Sequence, residues 1–176
     1  PYKFSMEDQF RAMIADEPPL KERFGKAELI FEPKTLQSWS ATTDTFWGKG
    51  FVLTGNVTEF LDPIFSSGVT LATVSAQTAA RLVIRQLNGE QVDWQKEYTE
   101  PTMQGVNVFR TYVNSWYDGT LFKIFFAENK SEQFKEQICS VLGGYVWDMS
   151  NPFVKNHEKS VRTLARFLDG TPAHSS

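Results

Sequence analysis

The stretch Gly55-Asn56-Val57-Thr58-Glu59-Phe60-Leu61-Asp62-Pro63-Ile64-Phe65-Ser66-Ser67-Gly68 carries the decisive reading of this chain. It follows a brief apolar run, Phe51–Thr54, that reads as a buried strand. It leads into Ser67–Leu87, where Val69, Ala72, Val74, Ala76, Ala79, Ala80, Val83 and Leu87 make a long helix apolar on most faces. Such a helix is expected to be buried. A strand, a polar loop and a helix start in that order form an acceptor for an anion or a dipole. The first backbone N–H groups of a helix have no partner inside it, and its macrodipole places about half a positive charge there. Gly68 admits close approach to the backbone, and Ser66 or Ser67 can cap or donate. An ordinary N-cap at a loop-to-helix junction is the plainer reading of the same residues.

Outward from this stretch the chain predicts an α+β fold, mainly helical. Two or three short strands are followed by the long buried helix and a C-terminal helical region. Ser5-Met6-Glu7-Asp8 opens a helix as a capping box, and Phe10, Met13 and Ile14 continue it until Glu17-Pro18-Pro19. A short helical turn over Leu20–Phe24 ends at Gly25. Ala27–Glu32 and Leu36–Thr42 read as strands joined by Pro33-Lys34, and Gly48-Lys49-Gly50 as a hairpin turn. After Asn88-Gly89, Trp94–Glu100 is a short amphipathic piece cut at Pro101. Met103–Ala127 follows, with Gly119 marking a break. Ser131–Leu142 starts at a serine cap and ends at Gly143-Gly144, and Pro152–Leu168 forms the last helix. Residues 1–89 and 90–170 are read as two regions, with 171–176 as a disordered tail. Trp94, Trp116, Tyr117 and Trp147 are read as core aromatics rather than the lining of a cleft.

Composition excludes several classes of function. The 176 residues include 15 Phe, 5 Trp and 5 Tyr, too much apolar surface for a disordered chain. A single cysteine, Cys139, excludes an internal disulfide framework and fits a reducing, cytoplasmic setting. Eighteen basic against 21 acidic residues give a net charge of -3 with no basic block, which argues against nucleic acid as a partner. The longest apolar stretch is interrupted by Thr and Gln, so no membrane span is expected, and no signal peptide opens the chain. The start at Pro1 reads as cut from something longer. His157 and His174 are the only histidines; no metal site is expected, and His157 is read as a solvated helical residue. Asn56-Val57-Thr58 and Asn129-Lys130-Ser131 match the glycosylation pattern without a secretory context.

The loop and its flanks resemble the C-terminal half of the flavin-binding region of flavin-dependent halogenases and related FAD monooxygenases. In that family a strand ending in Gly-Asp leads to Asp-Pro-(Leu/Val/Ile)-Phe-Ser-Ser-Gly and a helix. This chain has Gly55-Asn56, then Asp62-Pro63-Ile64-Phe65-Ser66-Ser67-Gly68-Val69, then Thr70-Leu71-Ala72. Trp39-Ser40, Phe46 and Gly50-Phe51-Val52-Leu53 are similar in the lead-in. The resemblance implies FAD as cofactor, with Asn56 at the position whose acid holds the ribityl hydroxyls. It also implies that the helix start at Ser66–Val69 faces the pyrimidine edge of the isoalloxazine. In a halogenase, Ser67 and Gly68 would hold the halide. Phe65 stands where tryptophan halogenases carry a functional glutamate, which points to the Phe-Ser-Ser-Gly subgroup instead.

The family's Gly-x-Gly-x-x-Gly segment and the lysine that follows it do not occur among these residues. The resemblance therefore implies a piece of an FAD-binding fold. Alone it would bind FAD weakly or not at all and be inactive, with no catalytic residue of its own. Its partners would be the missing FAD-binding segment or a second copy, together with a small-molecule substrate. Two other readings remain: a non-catalytic helical interaction module with open strand edges, and part of a geranylgeranyl-reductase-type FAD enzyme.

Overall fold

A computed structural model describes residues 5–36, 40–127 and 131–169. The chain divides into two units, Pro1–Ser38 and Trp39–Ser176. The first is a helical hairpin of α1 (Met6–Asp16) and α2 (Pro18–Phe24). Ser5 Oγ accepts from the Asp8 N–H at 3.2 Å and donates to Asp8 Oδ2 at 2.7 Å, so the serine start works as a cap. Pro18 and Pro19 both end α1 and open α2, since the first turn of a helix has no use for their missing N–H. Neither helix contains a buried residue.

The strand expected at Ala27–Glu32 does not form. Ile30 is 90% and Phe31 75% exposed, and no described residue pairs with this segment. Apolar, β-branched residues become a strand only against a partner strand. Of the strand expected at Leu36–Thr42, only β1 (Ala41–Thr42) is present; Gln37, Ser38 and Trp39 lie outside the described residues.

The second unit holds the site. β1 pairs antiparallel with β4 (Glu59–Phe60), Ala41 opposite Phe60 and Thr42 opposite Glu59. β2 (Trp47–Gly48) and β3 (Phe51–Val52) form the expected hairpin around Lys49-Gly50, with Gly50 at φ +85°. β3 is shorter than the run Phe51–Thr54 and is not buried, Phe51 being 52% exposed. The long helix α3 (Gly68–Leu87) follows the loop. It buries one stripe, Leu71, Ser75, Ala79 and Leu82, and leaves Val69, Ile84 and Leu87 in solvent.

The C-terminal helices build the main core around α4 (Glu100–Tyr117). Val106, Val108, Phe109 and Tyr112 on it are essentially inaccessible. α4 is not cut at Pro101. A π-helical turn, Gln95–Thr99, runs straight into it, and Pro101 stands at the junction of the two. Gly105 brings Trp147 onto α4, since a Cβ there would stand 2.3 Å from the indole, whose Nε1 donates to the Pro101 carbonyl at 2.7 Å. The expected break at Gly119 is real, with φ +81°, and α5 (Thr120–Phe126) follows. α6 (Glu132–Leu142) starts at the Ser131 cap. The expected single last helix is two, α7 (Pro152–Lys155) and α8 (His157–Asp169), because Asn156 leaves the helical region at φ −128°, ψ 45°. Leu121, Ile124, Ile138, Val141, Val154, Val161 and Leu164 complete the core, which reaches Leu61 and Leu71 beside the loop. The tail 171–176, Asn129, Lys130 and His174 lie outside the described residues.

Candidate functional site

Strand β3 ends where the Tyr98 hydroxyl donates to the Leu53 carbonyl. Gly55 then turns the chain at φ +67°, and its N–H donates to Ser75 Oγ of α3 at 2.9 Å. A side chain at Gly55 would place its Cβ 3.1 Å from that of Ala72, so glycine is needed both for the turn and for the approach. The 3-10 turn Gly55–Val57 is held by Thr58 Oγ1, which donates to the Gly55 carbonyl at 2.7 Å, and by Thr43 Oγ1, which donates to Val57 O at 2.5 Å. The loop is thus tied to α3 on one side and to β1 on the other.

Asp62 organises the second turn. One carboxylate oxygen accepts from the Ile64 N–H at 3.0 Å and the other from the Tyr117 hydroxyl at 2.9 Å. The bond to Asp62 pushes the Tyr117 phenol above its ordinary pKa. Pro63 opens the turn Pro63–Phe65, and Phe65 sets its edge on Trp116, ring centres 5.9 Å apart at 87°. Ser66 is left-handed at φ 53°, ψ 33°, the one non-glycine residue with positive φ among those described. That conformation costs roughly 1–2 kcal/mol outside glycine. It lets Ser67 enter helical geometry at once and bring Gly68 to the first helical position.

The start of α3 is left open. Its N-cap residue Ser67 makes no side-chain cap among the described residues, and its first turn holds no acidic residue. The positive end of a 20-residue helix therefore faces outward with its first N–H groups unused by the helix itself. It faces a cleft of about 630 Å³. Of the residues expected at the site, Gly55, Asn56, Pro63, Ser66, Gly68 and Val69 line this cleft. Asp62, Phe65 and Ser67 do not: Asp62 caps the turn, Phe65 packs on the core, and Ser67 is 3% exposed. Asn56 lies across Gly68, its Oδ1 being 3.2 Å from where a Cβ would stand.

Thr54, Phe60, Leu61, Ala72 and Ala76 also line the cleft and were not expected there. The signal available for the alanines is their i, i+4 spacing on a helix rich in small residues. None of Trp94, Trp116, Tyr117 and Trp147 lines it; Trp116 and Trp147 pack on the main core and Trp94 on a smaller cluster around Phe46 and Tyr98. His157 is half-buried rather than solvated. Its Nδ1 pairs with Thr111 Oγ1 at 2.7 Å, and burial lowers its pKa. Among the described residues no group of three or more His, Cys, Asp or Glu is placed to hold a metal ion. No helix of the described residues is long and apolar enough to cross a membrane.

The chain as a whole is similar to known proteins. The family model described as "Tryptophan halogenase" matches residues 11–145. The chain is 26% identical over 135 residues to a 1H-pyrrole-2-carbonyl-[peptidyl-carrier protein] brominase of Pseudoalteromonas luteoviolacea, an alignment covering 74% of this chain and 32% of that protein. It is 29% identical over 83 residues to the sulochrin halogenase gedL of Aspergillus terreus, covering 47% of this chain and 15% of that one. A crystal structure of a flavoprotein/dehydrogenase from Cytophaga hutchinsonii superposes with a TM-score of 0.88 at 49% identity, over 96% of this chain and 42% of that one. The chain thus spans about a third of the brominase and well under half of the flavoprotein.

Proposed function

This chain belongs to the tryptophan halogenase family, and on that premise we propose that residues 55–69 form the face of a flavin site in a halogenase-like FAD-dependent oxidoreductase. The observation that carries the reading is the uncapped, acid-free start of α3 at the cleft. A volume of about 630 Å³ lies within the range of roughly 300–1,000 Å³ usual for small-molecule and cofactor sites. The absent Cβ of Gly68, in a glycine whose backbone is ordinary helix, is the kind of space a planar ring can use.

A bound flavin supplies the oxidation and reduction; the residues of this chain bind and orient it. Asn56 holds the ribityl hydroxyls through its amide, a neutral bond about half as strong as the charge-assisted one an acid would make. The N–H groups from Gly68 onward would hold the polar edge of the flavin ring, where the helix end would favour negative charge. A halide would be held by the backbone N–H of Gly68, with Ser67, buried and off the cleft lining, setting the turn before it. Asp62 and Phe65 act at one remove, by fixing the turn. In this reading residues 1–89 belong to the FAD-binding part and 90–170 form the helical C-terminal region. Residues outside this chain, or a second copy, complete the flavin site, and the substrate is a small molecule.

The test is flavin content and affinity of the full protein, followed by visible absorbance and by titration with FAD. A protein that carries flavin and loses it when Gly68 is enlarged supports the proposal. A colourless protein with no affinity for added FAD overturns it and favours a non-catalytic module on the same fold.

A further inference from the structure

We propose that the Glu59–Arg110 ion pair is a positioning element that sets the middle of the cleft loop against α4, and so holds Asn56 and Ser66 in place for the flavin; it rests on the flavin reading above. Glu59 lies in β4, three residues after Asn56 and directly before Phe60 and Leu61, which line the cleft. Its side chain is 6% exposed, and Oε1 accepts from Arg110 Nη2 at 2.6 Å. The guanidinium is held from its other side by Asn107, one turn earlier on α4, whose Oδ1 accepts from Nη1 at 2.5 Å. Val108, Phe109 and Tyr112 anchor that part of α4 in the core with at most 1% exposure.

Of the other ties of the loop, Gly55 binds Ser75 on α3, Val57 and Thr58 bind Thr43 beside β1, and Asp62 binds Tyr117, the last residue of α4. Glu59 ties the segment between them to the buried middle of α4, ahead of the Tyr117 end that Asp62 holds. The connection is poor as a source of stability: Glu59 Oε2 is buried with no hydrogen-bond partner among the described residues. A buried carboxylate with one oxygen unsatisfied is costly, and an apolar pair of similar volume is commonly neutral or better for folding. What an apolar pair lacks is direction. The single Nη2–Oε1 bond, made by a planar guanidinium whose Nη1 is held by Asn107, sets a direction between β4 and α4.

The experiment compares the full protein with its Glu59→Leu/Arg110→Met double variant in thermal unfolding, in hydrogen exchange of the amides of residues 55–61, and in flavin affinity. The expected result is an unchanged or higher Tm, exchange at least about tenfold faster in the loop, and flavin affinity weaker by roughly 10–100-fold, the loss usual when groups that orient a site are removed. Loop exchange or flavin affinity within about twofold of wild type, in a variant that is folded, overturns the proposal. A wild-type protein that takes up no flavin overturns the flavin reading instead, and loop exchange alone then decides whether the pair clamps the loop. Should the double variant fail to fold, the isosteric Glu59→Gln carries the same readouts in the same directions, and wild-type values in it are equally fatal.

Discussion

Three helices among the described residues follow a serine, and two of them, α6 and α3, use it in opposite ways. Before α6, Ser131 lies in extended backbone at ψ 146°, and its Oγ accepts from the Phe134 N–H at 3.3 Å, with Glu132 adding a negative charge to the first turn. Before α3, Ser67 is already helical at ψ −19°, makes no cap, and is followed by no acid. The left-handed Ser66 brings this about by turning the chain one residue earlier. One helix end is satisfied from within the chain; the other is left with its donors and its dipole facing a cleft. A serine ahead of a helix is therefore not a cap until its own ψ makes it one.

The largest expected effect breaks this comparison at its centre. Gly68→Val fills the space in front of α3 and presses on Asn56, whose Oδ1 stands 3.2 Å from the new Cβ. Flavin affinity of the full protein should fall by about a hundredfold, roughly 2.7 kcal/mol, with little change in Tm because the backbone there is helical. Near-normal flavin binding in this variant would remove the cleft from the site.

The next effect separates the two serines. Ser131→Ala should cost about 1 kcal/mol in urea unfolding, as the loss of an N-cap does, and Ser67→Ala less than about 0.5 kcal/mol. Equal costs would mean that Ser67 caps after all. A smaller effect sharpens the contrast by closing the open end. Val69 is 78% exposed in the first turn of α3, so Val69→Asp should stabilise the helix by about 0.5 kcal/mol while weakening flavin binding, since both use the same dipole.

The smallest effect concerns a third helix start. His157 opens α8 half-buried, and burial lowers its pKa below the ordinary value near 6.5. The unfolded chain takes up that proton first on acidification. Stability from this group is therefore complete above about pH 6.5–7 and declines as pH falls from the unfolded value towards the lower folded one. Thermal unfolding followed between about pH 7.5 and 5 should show this decline, and His157→Gln should flatten it. A wild-type curve already flat over that range would contradict the assignment.

Most of the helices were legible in the sequence because their signals are local. Apolar residues at three and four, the Ser5 and Ser131 caps, and the breaks at Gly119 and Gly143 all act within a few residues. The failures share a different cause. Ala27–Glu32 has the residues of a strand without the neighbour that would make it one. Pro101 looked like a stop and instead stands at the junction where a π-helical turn runs into α4. Asn156 divides a helix that periodicity alone would continue. At the site, the motif residues were legible as a set, yet nothing in their order separates those that line the cleft from those that hold its wall.

The sequence by itself determined the helical character of the chain, the loop from Gly55 to Gly68 and, through that loop, the family. These rest on residue type and spacing along a continuous chain. Only the tertiary structure decided that Asn56 lies over Gly68, that Asp62 is held by Tyr117 and Glu59 by Arg110, and that α3 begins uncapped. Each of the three pairings joins residues 12 to 55 positions apart, and the missing cap depends on a backbone angle. Packing sets such distances and angles, and packing is a property of the whole core rather than of any stretch within it.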